Sequence, residues 1–320
     1  MMDRRQFIRT SVPLGILALS ASSLLASTTK GRRIGIVGLD SSHAAAFTKT
    51  LYAQRDTDIY LGYQVVAAFP YVETPIAANK ARIAKFQEEV ERCDVKIVTS
   101  IAELLATVDY VMVLTNDGNT RLAQVEEVMK AGKPVFIDKP IAASYSQAEQ
   151  VFALAKRHAT PFFSSSSLRF QTDIQALDTS LVRGVDLYTP ATTEPSHSLL
   201  YWYGIHGVEM LYALMGTGCL QVQCQSSPTD ELIVATWKDG RQASLRAITT
   251  GAADFGGVVF TEEKLINLQK FQGYTNLLAA IVQFFETNIV PFDAAQTLEI
   301  CRFMDAVAAS KKRKGKLIKL

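Results

Sequence analysis

Between residues 32 and 164, short apolar runs alternate with longer amphipathic stretches. Continuous apolar runs are typical of parallel strands that are covered on both faces, and the amphipathic stretches predict helices between them. Strands are predicted within 32–40, 63–69, 96–98, 108–115 and 133–138, and a last strand begins at residue 160. The first predicted helix begins near Ser41, and the others cover 77–93, 101–106, 120–131 and 146–158. This alternation predicts an α/β fold with a Rossmann-like, doubly wound parallel sheet over residues 31–160.

The pattern changes after Ser164. Three segments with strand character follow (220–225, 231–237 and 243–249), and a turn over 238–241 joins the last two as a hairpin. Helical patterns cover 274–285 and 294–310. These elements predict a second α/β domain over residues 161–320, built on an open, mainly antiparallel sheet.

Residues 1–30 read as a targeting segment rather than as part of a fold. A basic start that contains Arg4 and Arg5 precedes an apolar stretch over 12–26 that is too short to span a bilayer. This is the architecture of a signal peptide, and the arginine pair followed by Phe7 and Ile8 resembles a twin-arginine export signal. We therefore expect a periplasmic or otherwise exported protein with no stable membrane span after cleavage; an uncleaved anchor is the alternative.

Composition narrows the classes of partner. The formal net charge is +2, so no strong field favours nucleic acid or an anionic membrane. The four cysteines form no CxxC pair, and no metal site is predicted. Cys219 and Cys224 are close enough in sequence to pair in an oxidising compartment, although free thiols are favoured. Any imidazole acid or base must be one of four histidines: His43, His158, His197 and His206.

One segment carries a specific resemblance. Residues 131–140 read AGKPVFIDKP and look like the AGKxVxxEKP segment of the glucose-fructose oxidoreductase/inositol dehydrogenase (Gfo/Idh/MocA) family. The strand that ends at Thr115 is placed like the family's ATPN-type segment. Residues 168–170 resemble the family's entry into the substrate domain, and residues 201–211 resemble its DxGxHxxD segment. The chain is therefore similar to this family from about residue 32 to its end.

The resemblance implies roles for individual residues. Lys139 takes the place of the family's catalytic lysine between nicotinamide and substrate, and His206 that of the histidine that exchanges the hydroxyl proton. Pro140 follows with a turn that is expected to contain a cis peptide bond. The expected substrate contacts are Arg169, Trp202, Tyr203 and Glu209. On a helix, three of them share one face with His206, and Glu209 either orients that imidazole or pairs with a basic neighbour.

The expected cofactor is NAD or NADP, held tightly enough to be recycled. Its predicted binding residues are Gly38, Asp40, Ser41, Ser42, His43, Thr115, Asn116, Asp138 and Lys139. The glycine fingerprint is altered, because Asp40 and His43 replace its second and third glycines. A carboxylate at position 40 repels a phosphate unless it turns away. It either caps the helix without a dinucleotide, or joins the site together with His43.

The resemblance implies an exported oxidoreductase that transfers hydride between nicotinamide and a sugar, polyol or glycoside. One alternative is a glycoside-cleaving enzyme that oxidises, eliminates and recycles a bound NAD(P). The other is a carbohydrate-binding protein without a cofactor, which the altered loop favours and the retained Lys139 and His206 oppose. A homo-oligomer is expected by analogy with the family.

Overall fold

A computed structural model describes residues 32–320; the predicted targeting segment lies outside the described residues. Within residues 32–320, no helix has both the length and the apolar character needed to cross a membrane.

The first sheet has six strands, all parallel, in the order β3-β2-β1-β4-β5-β6. Buried side chains fill both faces of its central strands, as the apolar runs predicted. The strands are β1 (Arg33–Val37), β2 (Gln64–Phe69), β3 (Lys96–Ile97), β4 (Tyr110–Val113), β5 (Val135–Asp138) and β6 (Phe162–Ser165). The helices between them are α1 (Ser42–Ala53), α2 (Ala77–Glu91), α3 (Ile101–Thr107), α4 (Arg121–Lys130) and α5 (Tyr145–His158). The expected Rossmann-like fold is confirmed.

The strand order reverses between β1 and β4, and this reversal opens a crevice at the carboxyl ends of the strands. Gly38 ends β1 at this crevice with a φ of 98°. A Cβ there would lie 2.3 Å from Cγ2 of Thr115. Only glycine fits both the backbone angle and the close approach, so the tight turn of the fingerprint is retained.

The second sheet has seven strands in the order β12-β11-β7-β10-β9-β8-β13. All its pairings are antiparallel except the one between β7 and β10. The strands are β7 (Val182–Pro190), β8 (Cys219–Ser226), β9 (Asp230–Trp237), β10 (Gln242–Ile248), β11 (Gly256–Thr261), β12 (Leu265–Asn267) and β13 (Ile318–Lys319). The helices of this half are α6 (Thr172–Gln175), α7 (Ile205–Met215), α8 (Thr275–Thr287) and α9 (Ala294–Lys312). The expected mainly antiparallel sheet is confirmed.

Two contacts fix the position of the site. Helix α7 lies directly on the inner face of the second sheet. The approach is so close that a Cβ on Gly207 would come within 2.7 Å of Leu245 and Thr189. Helix α8 packs instead against the first sheet, where the rings of Phe285 and Tyr110 stack with centroids 4.8 Å apart. The last third of the chain therefore contributes to the hydrophobic cores of both sheets. The four cysteines are buried and unpaired.

Candidate active site

A cavity of about 360 Å³ opens where the carboxyl edge of the first sheet meets α7. Its walls come from loops that follow β1, β4, β5 and β6, and from the segments that flank the second sheet. The lining residues are Ser41, Ser42, His43, Arg82, Asn116, Lys139, Ser167, Leu168, Thr192, Trp202, Tyr203, His206, Phe255, Phe271 and Tyr274. The structure thus brings both predicted catalytic residues, Lys139 and His206, to one cavity.

The altered glycine loop turns its carboxylate away from the cavity. Both carboxylate oxygens of Asp40 accept the backbone N–H of Asn116, at 3.2 Å, and Asp40 is 1% exposed. The helix cap is instead Ser41, whose hydroxyl accepts the N–H of His43 at 3.1 Å. The expectation that Asp40 caps α1 is therefore wrong. The neighbouring serine binds that N–H, and the Asp40 carboxylate instead accepts the N–H of Asn116, just beyond the end of β4. Ser41, Ser42 and the start of α1 face the cavity.

Burial of Asp40 has an electrostatic consequence. Loss of solvent raises the pKa of this carboxyl to about 6, although the Asn116 N–H and the charge of Arg121 oppose the shift. Arg121 is completely buried and donates to the carbonyls of Val113 and Thr115 and to the Thr115 hydroxyl. Thr115 is consequently tied down beneath the loop and does not line the cavity, unlike its neighbour Asn116.

The predicted lysine lies at the end of β5, and its bond to Pro140 is cis, as expected. Lys139 is 6% exposed, and burial lowers the pKa of its ammonium, an effect that Asp138 opposes and Arg121 reinforces. Asp138 is wholly buried, accepts the Lys139 N–H at 2.8 Å, and binds Nδ1 of His43 at 2.6 Å. Asp138 therefore supports the residues that face the cavity rather than facing it itself.

His206 lies in the first turn of α7 and is 5% exposed. Burial, followed by the charges of Lys139 and His43, lowers the pKa of its imidazole well below the ordinary range. Its Nδ1 lies 2.6 Å from the Ser166 hydroxyl, which also accepts the N–H of Leu168. A hydroxyl both donates and accepts, so Ser166 can hold either tautomer of the neutral ring.

Two of the expected substrate contacts lie beneath the cavity instead of lining it. Arg169 Nε and a carboxylate oxygen of Glu209 form an ion pair at 2.7 Å, with both side chains almost completely buried. Glu209 also accepts the Ser165 hydroxyl, and Arg169 donates to Gln296 at 2.7 Å. Of the two roles considered for Glu209, the structure shows the pairing with a basic neighbour and no contact with His206.

The other two expected contacts, Trp202 and Tyr203, line the cavity. They belong to a π-helical turn, Leu200–Gly204, that precedes α7 and presents both rings to the cavity. The Lys139 ammonium lies 5.9 Å from the centre of the Tyr203 ring. Trp202 packs on His197, with ring centroids 5.2 Å apart, and His197 is paired with Asp117 at 3.1 Å.

Several lining residues were not predicted from the sequence. Phe255 and Phe271 come from irregular segments without periodicity, and Tyr274 lies at the start of a helical pattern, so no pattern marks these three as lining residues. Arg82, an exposed side chain of α2, has no ion-pair partner in the structure of residues 32–320. The short run of serines after β6 was a usable signal, because Ser166 and Ser167 follow a strand that ends at the crevice. In the same described range, no group of three or more acidic, histidine or cysteine residues is placed to hold a metal ion.

The residues of the loop fit the pyrophosphate and nicotinamide end of a dinucleotide. Gly38 keeps the tight turn, the N-terminus of α1 faces the cavity, and Asp40 leaves the anion-binding face clear. The far end differs from the usual NAD pattern, because β2 ends in Phe69 and is followed by Pro70 and Tyr71, with no carboxylate for the adenosine ribose.

Comparison with known proteins gives the same assignment. Residues 32–165 match the model of an oxidoreductase family with an NAD-binding Rossmann fold, GFO_IDH_MocA. No curated protein matches the chain in sequence.

Solved structures share the fold over nearly the whole chain. A probable dehydrogenase from Thermotoga maritima has a TM-score of 0.74 at 17% identity, covering 90% of this chain and 98% of its own. A scyllo-inositol dehydrogenase from Lactobacillus casei, crystallised with NAD(H) and scyllo-inositol, has a TM-score of 0.70 at 16% identity, with coverages of 90% and 98%. A UDP-N-acetylglucosamine 3-dehydrogenase from Acidithiobacillus ferrooxidans has a TM-score of 0.71 at 15% identity, with coverages of 88% and 98%. By the family match, residues 32–165 form an NAD-binding Rossmann domain of the Gfo/Idh/MocA oxidoreductase family, and the fold shared with the solved structures extends over nearly the whole chain.

Proposed function

We propose that this protein is an exported NAD(P)-dependent oxidoreductase that acts on a hydroxyl-bearing carbon of a sugar, polyol or glycoside. The observation that carries the proposal is the meeting of Lys139 and His206 in one cavity beside the N-terminus of α1. An aromatic wall faces these polar groups, as is typical of sites that bind the apolar face of a sugar ring. The inositol and sugar dehydrogenases that share the fold act on the same class of compound by their names.

A bound nicotinamide supplies the hydride acceptor or donor, and this chain supplies the proton chemistry. The Lys139 ammonium donates a hydrogen bond to the reacting oxygen and stabilises negative charge on it, strongly so because water is excluded around it. His206, kept neutral by its lowered pKa, accepts the hydroxyl proton during oxidation and returns it during reduction. Because the Ser166 hydroxyl supports either tautomer, the ring can serve both directions.

Tight retention of the dinucleotide accords with the predicted export, since free nicotinamide cofactor is scarce outside the cytoplasm. Export itself is proposed on the twin-arginine-like pattern of residues 1–30. Fractionation of expressing cells tests it: the protein is expected in the periplasm, and replacing Arg4 and Arg5 by lysine should leave it in the cytoplasm.

A homo-oligomer is proposed through the outer face of the second sheet. Tyr188, Val234 and Leu265 are large apolar side chains that are 41%, 43% and 66% exposed there. Light scattering is expected to show a dimer or a larger assembly, and Val234→Glu should shift it to a monomer.

A second candidate activity is cleavage of a glycoside by oxidation followed by elimination. It is favoured by one observation, namely that the cavity contains a second imidazole, His43. Elimination requires removal of a proton from the carbon next to a newly formed ketone, and a second base serves that need.

The first experiment asks whether a dinucleotide is bound. The mature protein is purified, and one sample is denatured and analysed by mass spectrometry for released NAD(H) or NADP(H). A second, folded sample is titrated with each dinucleotide in a calorimeter. Retention or binding of one of them is expected, followed by reduction of the cofactor with a panel of inositols, sugars and glycosides. A protein that neither carries nor takes up any dinucleotide would contradict the proposal and favour a carbohydrate-binding protein without a cofactor.

A further inference from the structure

His43 lines the cavity and pairs with the buried Asp138, but the pair takes no part in the hydride-transfer chemistry described above. His43 is the second residue of α1, at the position of the third fingerprint glycine, and is 6% exposed. Its Nδ1 lies 2.6 Å from Oδ2 of Asp138. The pair joins the first strand–helix turn to the residue that precedes the catalytic lysine.

The charges around Asp138 keep it an acceptor. Burial opposes its ionisation, but the interaction with His43 and the charges of Lys139 and Arg121 outweigh burial and lower the pKa of the carboxyl. An ionised carboxylate accepts hydrogen bonds and donates none. Nδ1 of His43 must therefore carry the hydrogen, and in the neutral ring Nε2 carries the lone pair.

The packing of the ring leaves that lone pair available. Phe47 stacks on one side of His43 with centroids 5.3 Å apart, and Tyr274 meets it edge-on at 4.8 Å. Nε2 has no hydrogen-bond partner among residues 32–320, although the residue lines the cavity. A ring whose only role was to neutralise Asp138 would not require an open nitrogen at the ligand site.

We propose that His43, oriented by Asp138, is a second proton-transfer group of this cavity, separate from His206. The proposal rests on the proposed function and extends it to a substrate class: carbohydrates that, as ketones, lose a proton from the carbon next to the carbonyl. The C–H bond breaks, its proton moves to Nε2, and its electron pair forms an enolate whose charge the Lys139 ammonium balances. Return of the proton to the carbon completes an exchange. In an elimination, the enolate pair forms a carbon–carbon double bond, the bond from the next carbon to its leaving oxygen breaks with its own electron pair, and His43 protonates that oxygen.

The proton exchange can be measured without any redox step. The full protein is incubated in D₂O with the ketone of myo-inositol as probe, and deuterium at the carbons next to the carbonyl is followed by NMR. Wild type is expected to exchange about 100-fold faster than His43→Gln, the size typical of a lost general base. Equal rates in the two proteins, including no exchange in either, would overturn the proposal.

A second measurement needs no ligand. In protein labelled with ¹⁵N-histidine, the neutral ring of His43 is expected to carry its hydrogen on Nδ1, and Asp138→Asn is expected to reverse this because an amide can donate to Nδ1. His158, outside the cavity, provides the control and should not change. A neutral His43 with its hydrogen on Nε2 in wild type would overturn the assignment. Failure of the proposed redox function shows separately, as absence of a dinucleotide, and leaves both measurements interpretable.

Discussion

The two walls of the cavity are built on different principles. The wall from the first sheet is electrostatic: Lys139 and His43 face the ligand, and Asp138 and Arg121 lie wholly buried behind them. The wall from the second half is aromatic, with its own buried ion pair beneath it. In the proposed function, the first wall supplies Lys139 and His43 for charge and proton transfer. The second wall adds His206, excludes water and receives the apolar face of a sugar, which strengthens the electrostatic interactions on the first wall.

The two cavity histidines differ in the same sense. A carboxylate holds His43 and fixes its tautomer, while a hydroxyl holds His206 and leaves its tautomer free. The fixed tautomer leaves one defined nitrogen of His43 open to the cavity, whereas either nitrogen of His206 can carry the hydrogen. In the proposed chemistry, His206 therefore exchanges the hydroxyl proton and His43 the proton bound to carbon.

The largest effect is expected on the electrostatic wall. Lys139→Met keeps the length of the side chain but removes the ammonium, so the developing oxyanion loses its partner. The rate of dinucleotide reduction at saturating substrate should fall by about 10²–10⁴. Lys133→Met, a partly buried lysine that lies away from the cavity, is the control and should keep full activity. A loss below tenfold for Lys139→Met would remove this lysine from the chemistry.

Breaking the buried ion pair beneath the aromatic wall is expected to destabilise the protein. Glu209→Leu leaves the Arg169 guanidinium without its carboxylate, and the free energy of unfolding in urea should fall by about 3–5 kcal/mol. Glu209→Gln keeps the shape of the side chain and one hydrogen-bond acceptor, so its free energy of unfolding should fall by less. Equal losses in the two variants would show that packing, not charge, matters at this position.

Asp40 links stability to pH. Its pKa is raised from 3.8 to about 6, so the folded protein favours the protonated carboxyl. This contribution is complete below pH 3.8 and is lost as the pH rises through about 6. Asp40→Asn removes the cost of ionisation and should stabilise the protein at pH 8 by about 1–3 kcal/mol, with little gain at pH 4. A gain that is the same at both pH values would contradict the shift.

The smallest effect is expected from the aromatic wall itself. Trp202→Leu removes one ring face and should raise KM for the substrate about 3- to 10-fold, with kcat nearly unchanged. Tyr52→Leu, a partly exposed ring on α1 that does not line the cavity, is the matched control for loss of a ring. A fall in kcat alone would mean that Trp202 acts on the reacting groups rather than on binding.

Local patterns predicted what depends on neighbours in sequence. The resemblance of segment 131–140 to the family predicted Lys139, and the proline that follows this lysine predicted the turn with its cis peptide bond. Strand β7 was not predicted, since Gly184 and Pro190 interrupt its pattern, and only pairing with β10 and β11 completes it.

The partners of the charged groups could not be predicted. Asp40 turns away because it meets an N–H that lies 76 residues later. Glu209 finds Arg169 across 40 residues, and His197 finds Asp117 across the two halves. The role of each of these side chains therefore depends on partners that are distant in sequence and come near it only in the folded chain.

The position of Trp202 has an optical consequence. The protein contains two tryptophans, and the other, Trp237, is 1% exposed in the core with its indole N–H bound to the carbonyl of Gly216. Trp237 provides a constant background in the fluorescence spectrum. Trp202 is partly exposed at the cavity wall beside His197, so its emission responds to whatever enters. The native chain therefore contains its own reporter of ligand binding, and titrations can be read without a label or a turnover assay.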